Sequence, residues 1–103
     1  MTSKEFAAKV AEHFTVQFGK QGLEVTETPS VPCWTVYLDR YALRAHRNEP
    51  TVFEVEKLVI LVVKKTKVDA NHVRFSPNRG SVLVQLRPDN DAALANRPLW
   101  KRS

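Results

Sequence analysis

Apolar residues recur at helical spacing in the first twenty positions of the chain. Thr2 or Ser3 can cap a helix, and Glu5 follows Thr2 by three residues, which is the spacing of a capping box. Gly19 or Gly22 can close the helix in a left-handed conformation. The apolar positions that share one face are Phe6, Ala7, Val10, Ala11, Phe14 and Phe18. This pattern predicts an amphipathic helix that buries one face in a core.

Residues 51–67 contain the longest unbroken apolar run of the chain, residues 58–63, and are the expected centre of the core. The β-branched residues of this stretch favour a strand. Its ends favour a helix, because Thr51 and Glu54 have capping-box spacing and Lys64, Lys65 and Lys67 complement the dipole at a helix C-terminus. We expect a helix here and keep a buried central strand as the alternative.

Alternation of apolar and polar residues predicts strands elsewhere. Residues 23–28 suit a half-exposed strand that prolines then end, and residues 33–38 carry apolar groups on both faces, which places them inside a sheet. Residues 72–76 and 81–87 predict a hairpin, since Pro77 presets a turn and Gly80 can take a positive φ. Residues 40–47 suit either a further strand, which we prefer, or a short helix capped by Asp39.

In chain order the predicted elements are a helix, two or three strands, a helix, two strands and a tail. This order belongs to the α+β class: a single mostly antiparallel sheet of four to five strands with two helices packed on one face. The chain has 103 residues, near the usual size of one domain. We expect a single α+β domain over residues 1–96 and a basic C-terminal tail over residues 97–103.

The composition indicates the cellular compartment in which the protein is expected. Cys33 is the only cysteine, so the chain has no disulfide framework and a reducing compartment is expected. No stretch reaches the roughly 18 apolar residues that a membrane span needs, and the N-terminus lacks a signal-peptide pattern. We expect a soluble, cytoplasmic protein without a membrane partner.

No catalytic or cofactor motif stands out in the sequence. The histidines lie far apart, three glycines are too few for a phosphate-binding loop, and no Cys or His pair has zinc-ligand spacing. We therefore expect no enzymatic activity, no metal and no cofactor. The one catalytic alternative is a metal-free ribonuclease of toxin type, in which His46 acts as general base between Arg44 and Arg47.

Positive charge is concentrated in the second part of the chain. Residues 1–39 carry three basic and five acidic residues, whereas residues 40–103 carry thirteen basic and six acidic residues, for a net charge of +5. This asymmetry suggests an anionic partner, of which nucleic acid is the commonest, and leaves a solvated basic face as an equal alternative. The candidate nucleic-acid-binding residues are Lys64, Lys65, Lys67, Arg74, Arg79 and Arg87. We expect them to contact phosphates without reading the bases.

The basic tail supports a second hypothesis. Leu99, Trp100 and Arg102 follow a proline, and tryptophan is enriched at the energetic centres of protein interfaces. The chain is then a protein-interaction subunit or small inhibitor, for example a phage-encoded assembly or regulatory protein, that docks to another protein or joins an oligomer. Tyr37 and Tyr41 are expected to be exposed and to add to such a surface. The alternative is that Trp100 packs on its own domain.

Overall fold

A computed structural model describes residues 1–28, 33–43 and 50–87. Within these ranges it contains two α-helices, α1 (Ser3–Phe18) and α2 (Val52–Thr66), and four strands, β1 (Leu23–Thr28), β2 (Cys33–Asp39), β3 (Val73–Pro77) and β4 (Ser81–Leu86). The strands form one antiparallel sheet in the order β1-β2-β4-β3. The predicted α+β class and element order are confirmed. The division into a domain and a tail at residue 96 falls outside the described residues and stays a prediction.

The α1 helix begins and ends at the residues that the sequence marks. The Glu5 N–H donates to Thr2 Oγ1 at 3.1 Å and the Thr2 N–H donates to Glu5 Oε1 at 2.9 Å, which completes the capping box. Gly19 closes the helix with φ at 93° and donates its N–H to the Thr15 carbonyl at 3.0 Å. The buried residues are Phe6, Ala7, Val10, Phe14 and Phe18.

Residues 52–66 are helical, so the alternative of a central strand is wrong. A second capping box joins Thr51 and Glu54, with hydrogen bonds of 3.0 and 3.1 Å. The apolar run 58–63 wraps around this helix, which buries five residues, Val55, Leu58, Val59, Val62 and Val63. These are spaced three or four apart or adjacent, as one helical face requires. The start and stop signals decide the structure here, and four of the β-branched residues pack on the inner face: Val55, Val59, Val62 and Val63.

Strand β2 lies inside the sheet, as its two apolar faces predict, between β1 and β4. Val36 pairs with Val25 on one side and Val84 on the other, so these side chains share the face that packs against the helices. α1 contacts β1, β2 and β4 as well as α2. The inner faces of both helices and of the sheet form one core cluster.

Residues 40–43 form a 3₁₀ turn, Arg40–Leu43, so the preference for a further strand is wrong there. Asp39 Oδ1 accepts a hydrogen bond from the Tyr41 N–H at 3.0 Å, which caps the turn. The Arg40 N–H donates to the Gly80 carbonyl at 2.7 Å. Gly80 does not take a positive φ; instead, a Cβ at this position would overlap the Tyr41 ring. Residues 44–47 of the same prediction lie outside the described residues.

The two helices run in opposite directions along the sheet, which gives the molecule two distinct ends. At one end the Trp34 N–H donates to Ser3 Oγ at 2.8 Å, so α1 begins beside the start of β2. At the other end the Arg40 guanidinium donates to the Pro50 carbonyl at 3.2 Å, so α2 begins beside the end of β2 and the turn of the β3–β4 hairpin. We call these the α1-start end and the hairpin end.

Candidate functional site

Three lysines form an exposed group where α2 finishes, at the α1-start end of the molecule. They are Lys64, Lys65 and Lys67, and we call them the α2-end basic cluster. The carbonyl groups of the last helical turn carry the negative end of the helix dipole, which accounts for part of the preference for lysine here. The sequence analysis brings these residues together correctly because they belong to a single helix terminus.

Lys67 adopts a backbone conformation that favours glycine. It is the C-cap of α2, with φ at 61° and ψ at 26°, and its N–H donates to the Val63 carbonyl at 2.9 Å. Among the described residues it is the one non-glycine residue with positive φ. The left-handed conformation costs a non-glycine residue about 1 kcal/mol or more. A lysine is thus kept at a position where glycine gives the more stable helix end.

Arg74 and Arg87 lie toward the same end of the sheet. Arg74 pairs with Gln85 on the face of the sheet that points away from the helices, and it is half-buried. Arg87 follows β4 directly, and its N–H donates to the His72 carbonyl at 2.8 Å. Only 8% of the Arg87 residue surface is exposed, so Arg87 is part of the packed structure more than of the surface.

Arg79 lies at the opposite end of the molecule, in the turn between β3 and β4. The length of β3 separates it from the basic cluster, about 15 Å at roughly 3.3 Å per residue. Its carbonyl accepts hydrogen bonds from the Arg40 guanidinium and from the Tyr41 hydroxyl, the latter at 3.4 Å. The structure therefore divides the six predicted basic residues, with five toward the α1-start end and Arg79 at the hairpin end.

A cleft of about 460 Å³ opens beside the basic cluster, between the start of α1 and residues that include Asp69, His72 and Arg87. Two carboxylates at or near the cleft, those of Asp69 and Glu5, are hydrogen-bonded within the protein. The Asp69 carboxylate accepts a hydrogen bond from the Asn71 N–H at 2.9 Å. At the start of α1, hydrogen bonds from the Thr2 backbone and side chain lower the pKa of the Glu5 carboxyl from its ordinary value of 4.5. The Glu5 carboxylate thus already occupies one backbone donor at this helix N-terminus.

The sequence analysis missed an exposed strip on α2. Phe53 is 62% exposed and Leu61 is 46% exposed, and both project away from the buried face of the helix. We call this the α2 outer strip: Phe53, Lys57, Ile60, Leu61 and Lys64. A helical projection at roughly 3.6 residues per turn could have found it, since these residues lie opposite the buried ones. The sequence analysis placed the run 58–63 at the centre of the core and did not ask which residues of the helix face outward.

The remaining site predictions lie outside the described residues. These are the interaction residues Leu99, Trp100 and Arg102 and the candidate general base His46. Among described residues, no group of three or more His, Cys, Asp or Glu side chains could hold a metal ion. Neither α1 nor α2 is long and apolar enough to cross a membrane. Tyr37 and Tyr41 are exposed, as expected.

No protein-family model, curated protein or solved structure matches this chain. The α2-end basic cluster and the α2 outer strip are therefore judged on their own chemistry.

Proposed function

We propose that the chain is a small non-enzymatic binding module that contacts nucleic-acid phosphates through the α2-end basic cluster. The observation that carries this proposal is the left-handed conformation of Lys67. Strain retained at one residue suggests that its side chain is needed there. Glycine would close α2 with less strain but would carry no charge.

The charge around the cluster supports the same proposal. Residues 64–74 contain four basic residues and one acidic residue, Asp69, whose carboxylate caps the following turn. The three lysines are exposed, so their ammonium groups can meet phosphates without a loss of packing. Such contacts release counterions from nucleic acid, and binding weakens steeply as salt is added. No sequence preference is expected, because phosphate contacts do not read bases.

Arg79 and Arg87 have smaller roles in this proposal than the sequence alone assigns to them. Arg87 is largely buried and supports the structure next to the cluster. Arg79 is exposed at the hairpin end, so it joins the same contact only with a ligand long enough to run the length of the sheet. A short oligonucleotide should therefore depend on the lysines more than on Arg79.

The test compares two double variants with equal changes in charge. Lys65→Glu/Lys67→Glu reverses the cluster, whereas Lys9→Glu/Lys20→Glu reverses two exposed lysines of the α1 region. Fluorescence anisotropy with labelled single-stranded RNA, single-stranded DNA and duplex DNA should show binding by the unaltered protein at low salt. We expect the cluster variant to lose about tenfold or more in affinity and its salt slope to fall by about one per lysine.

Two results would overturn the proposal. One is the absence of binding to all three probes at low salt. The other is an equal loss in both double variants, which would show that net charge alone governs binding.

A second candidate function, docking to another protein, is favoured by the α2 outer strip. Large apolar side chains that are exposed on one helix face mark interaction surfaces more often than isolated ones do. The tail residues Leu99, Trp100 and Arg102 remain a separate prediction for the same function. Removal of residues 97–103 tests the tail, since it should abolish partner binding only where the tail is the docking element.

A further inference from the structure

We propose that residues 88–103 dock across the outer face of the sheet, which is the face opposite the helices. This inference goes beyond the proposed function and is independent of nucleic-acid binding and of the α2 outer strip. Three features carry it: the burial of residues on the outer face, the place where the segment begins and the charges near its start.

The outer face is buried although both described helices pack on the other side of the sheet. Val36 and Val84 point toward the helices, so their chain neighbours Thr35 and Gln85 point outward. These two are 7% and 9% exposed, and the Gln85 amide donates to Thr35 Oγ1 at 2.7 Å. Cys33, on the same face of β2, is 0% exposed. An antiparallel sheet with helices on one side commonly leaves its other face in water, so this burial indicates a covering segment.

The burial is strongest at the α1-start end of the outer face. Arg87, which follows β4 and continues its alternation, is 8% exposed. Tyr37, nearer the hairpin end of the same face, is 39% exposed. The covering segment therefore lies over the half of the face that carries Cys33 and Arg87.

Chain length decides which segment can cover this half. Residues 29–32 join the neighbouring strands β1 and β2, and four residues leave no length to extend over β4. Residues 44–49 start and finish at the hairpin end, where the Arg40 guanidinium donates to the Pro50 carbonyl. They can reach at most about 12 Å along the sheet at roughly 3.5 Å per residue. Cys33 lies about 20 Å from that end at roughly 3.3 Å per residue.

Residues 88–103 meet both requirements. They begin directly after Arg87, at the end where the burial is strongest. Their sixteen residues extend to about 50 Å, whereas four strands span only about 15 Å.

The charges near the start of the segment suit the outer face. Asp89 and Asp91 follow Arg87 by two and four residues. Arg74 pairs with Gln85 on the same face of the sheet. An arginine is almost never fully buried unless it is paired, and a carboxylate is a strong partner for its guanidinium. The two aspartates thus bring complementary charge to the two arginines of this face.

The later part of the segment carries the apolar side chains Leu94, Leu99 and Trp100. These can cover Cys33 and Thr35, whose burial no charge explains. Trp100 then packs on its own domain, and the tail can dock to another protein only by leaving the sheet.

The reactivity of the Cys33 thiol tests the proposal, because Cys33 is the only cysteine of the chain and lies on the outer face. The full chain is treated with N-ethylmaleimide, and mass spectrometry follows the labelling. We expect slow labelling without denaturant. Asp89→Lys/Asp91→Lys should label at least about tenfold faster, since the covering segment then opens without global unfolding.

The matched control is Glu12→Lys/Glu27→Lys, which makes an equal change in charge at exposed positions of α1 and β1 and should label as slowly as the unaltered chain. Leu58→Ala controls for lost stability. It removes buried surface on the inner side, so its labelling should rise only as urea brings it toward unfolding. A chain that ends at Arg87 should label fastest, and circular dichroism checks that each variant is folded.

Three outcomes would overturn the proposal. Fast labelling of the full chain would show an open outer face. Equally slow labelling of the full chain and of Asp89→Lys/Asp91→Lys would show that another segment covers Cys33, as would slow labelling of the folded shortened chain. Protection that falls on dilution of the full chain would show that a second copy covers the face. The labelling uses no nucleic acid, so its outcome leaves the first proposal to its own test.

Discussion

The two helices begin alike and differ in what they expose and how they end. Both start with a Thr–Glu capping box, and both bury one apolar face in a common core. On its outer side α1 is mostly polar, with Val16 as its one large exposed apolar residue. α2 exposes Phe53 and Leu61 as well as its lysines, and it ends on Lys67 where α1 ends on Gly19.

The difference between the two helices shows which of their features the fold requires and which it does not. A helix that packs on a sheet needs an apolar inner face and a residue that caps each end. α1 shows that the outer face can be polar and that glycine can form the C-cap. α2 departs from that pattern at its outer strip and at its C-cap. Departures from local rules concentrate at functional or strained sites. Both candidate surfaces of this protein therefore lie on α2.

The largest expected effect is a loss of stability, which should be large for a buried phenylalanine of α1 and small for an exposed phenylalanine of α2. Phe14 is fully buried, so Phe14→Ala should lower the free energy of unfolding by about 3–5 kcal/mol through lost burial and a cavity. Phe53→Ala, at a residue 62% exposed, should change it by less than about 0.5 kcal/mol. Urea denaturation measures both values.

A large loss of stability for Phe53→Ala would contradict this comparison, because Phe53 would then belong to the core. A small loss would leave this ring available for the protein docking that the α2 outer strip favours.

Most of the fold could be predicted from local signals. The capping boxes mark both helices, and alternation marks all four strands, because these patterns act over a few neighbouring residues. Residues 40–43 could not be predicted in the same way. Arg40 is held by the Gly80 and Pro50 carbonyls, which are distant in sequence, and such tertiary contacts leave no periodic pattern.

The candidate site could be predicted only where its residues are close together in the sequence. The lysines of the α2-end basic cluster share one helix terminus, so the sequence groups them correctly. Arg79 and Arg87 were grouped with them by charge, but the hairpin carries Arg79 to the far end and packing buries Arg87. The α2 outer strip could have been found from the helical spacing of its residues. It was not predicted because the apolar run was placed at the centre of the core without asking which residues a helix turns outward.

The next effect concerns Lys67, the C-cap of α2. Its replacement by glycine should raise the stability of the protein and lower its affinity for nucleic acid. Lys67→Gly should raise the free energy of unfolding by about 1 kcal/mol, since glycine adopts this positive φ without strain. It should also weaken binding to short oligonucleotides, because one of the three clustered charges is lost. Urea denaturation and fluorescence anisotropy at low salt measure the two effects.

Lys67→Ala is the matched control for the C-cap. It removes the same charge but keeps a Cβ, so it should weaken binding as much as Lys67→Gly does without stabilising the helix end. Unchanged binding in both variants would show that Lys67 serves the dipole of α2 and not a ligand.

The smallest expected effect is on the pH dependence of stability, and it arises from Glu5 at the start of α1. Hydrogen bonds from the Thr2 backbone and side chain lower the pKa of Glu5 in the folded protein from 4.5, so the unfolded chain binds more protons between the two values. Stability from Glu5 is therefore fully present above 4.5 and is lost as the pH falls through the lower, folded pKa. Glu5→Gln keeps an acceptor for the Thr2 N–H but cannot titrate. It should be slightly less stable than the unaltered protein at neutral pH and equal to it in acid, as measured by urea denaturation across this range. The same difference at every pH would show that the Glu5 charge has no part in closing the capping box.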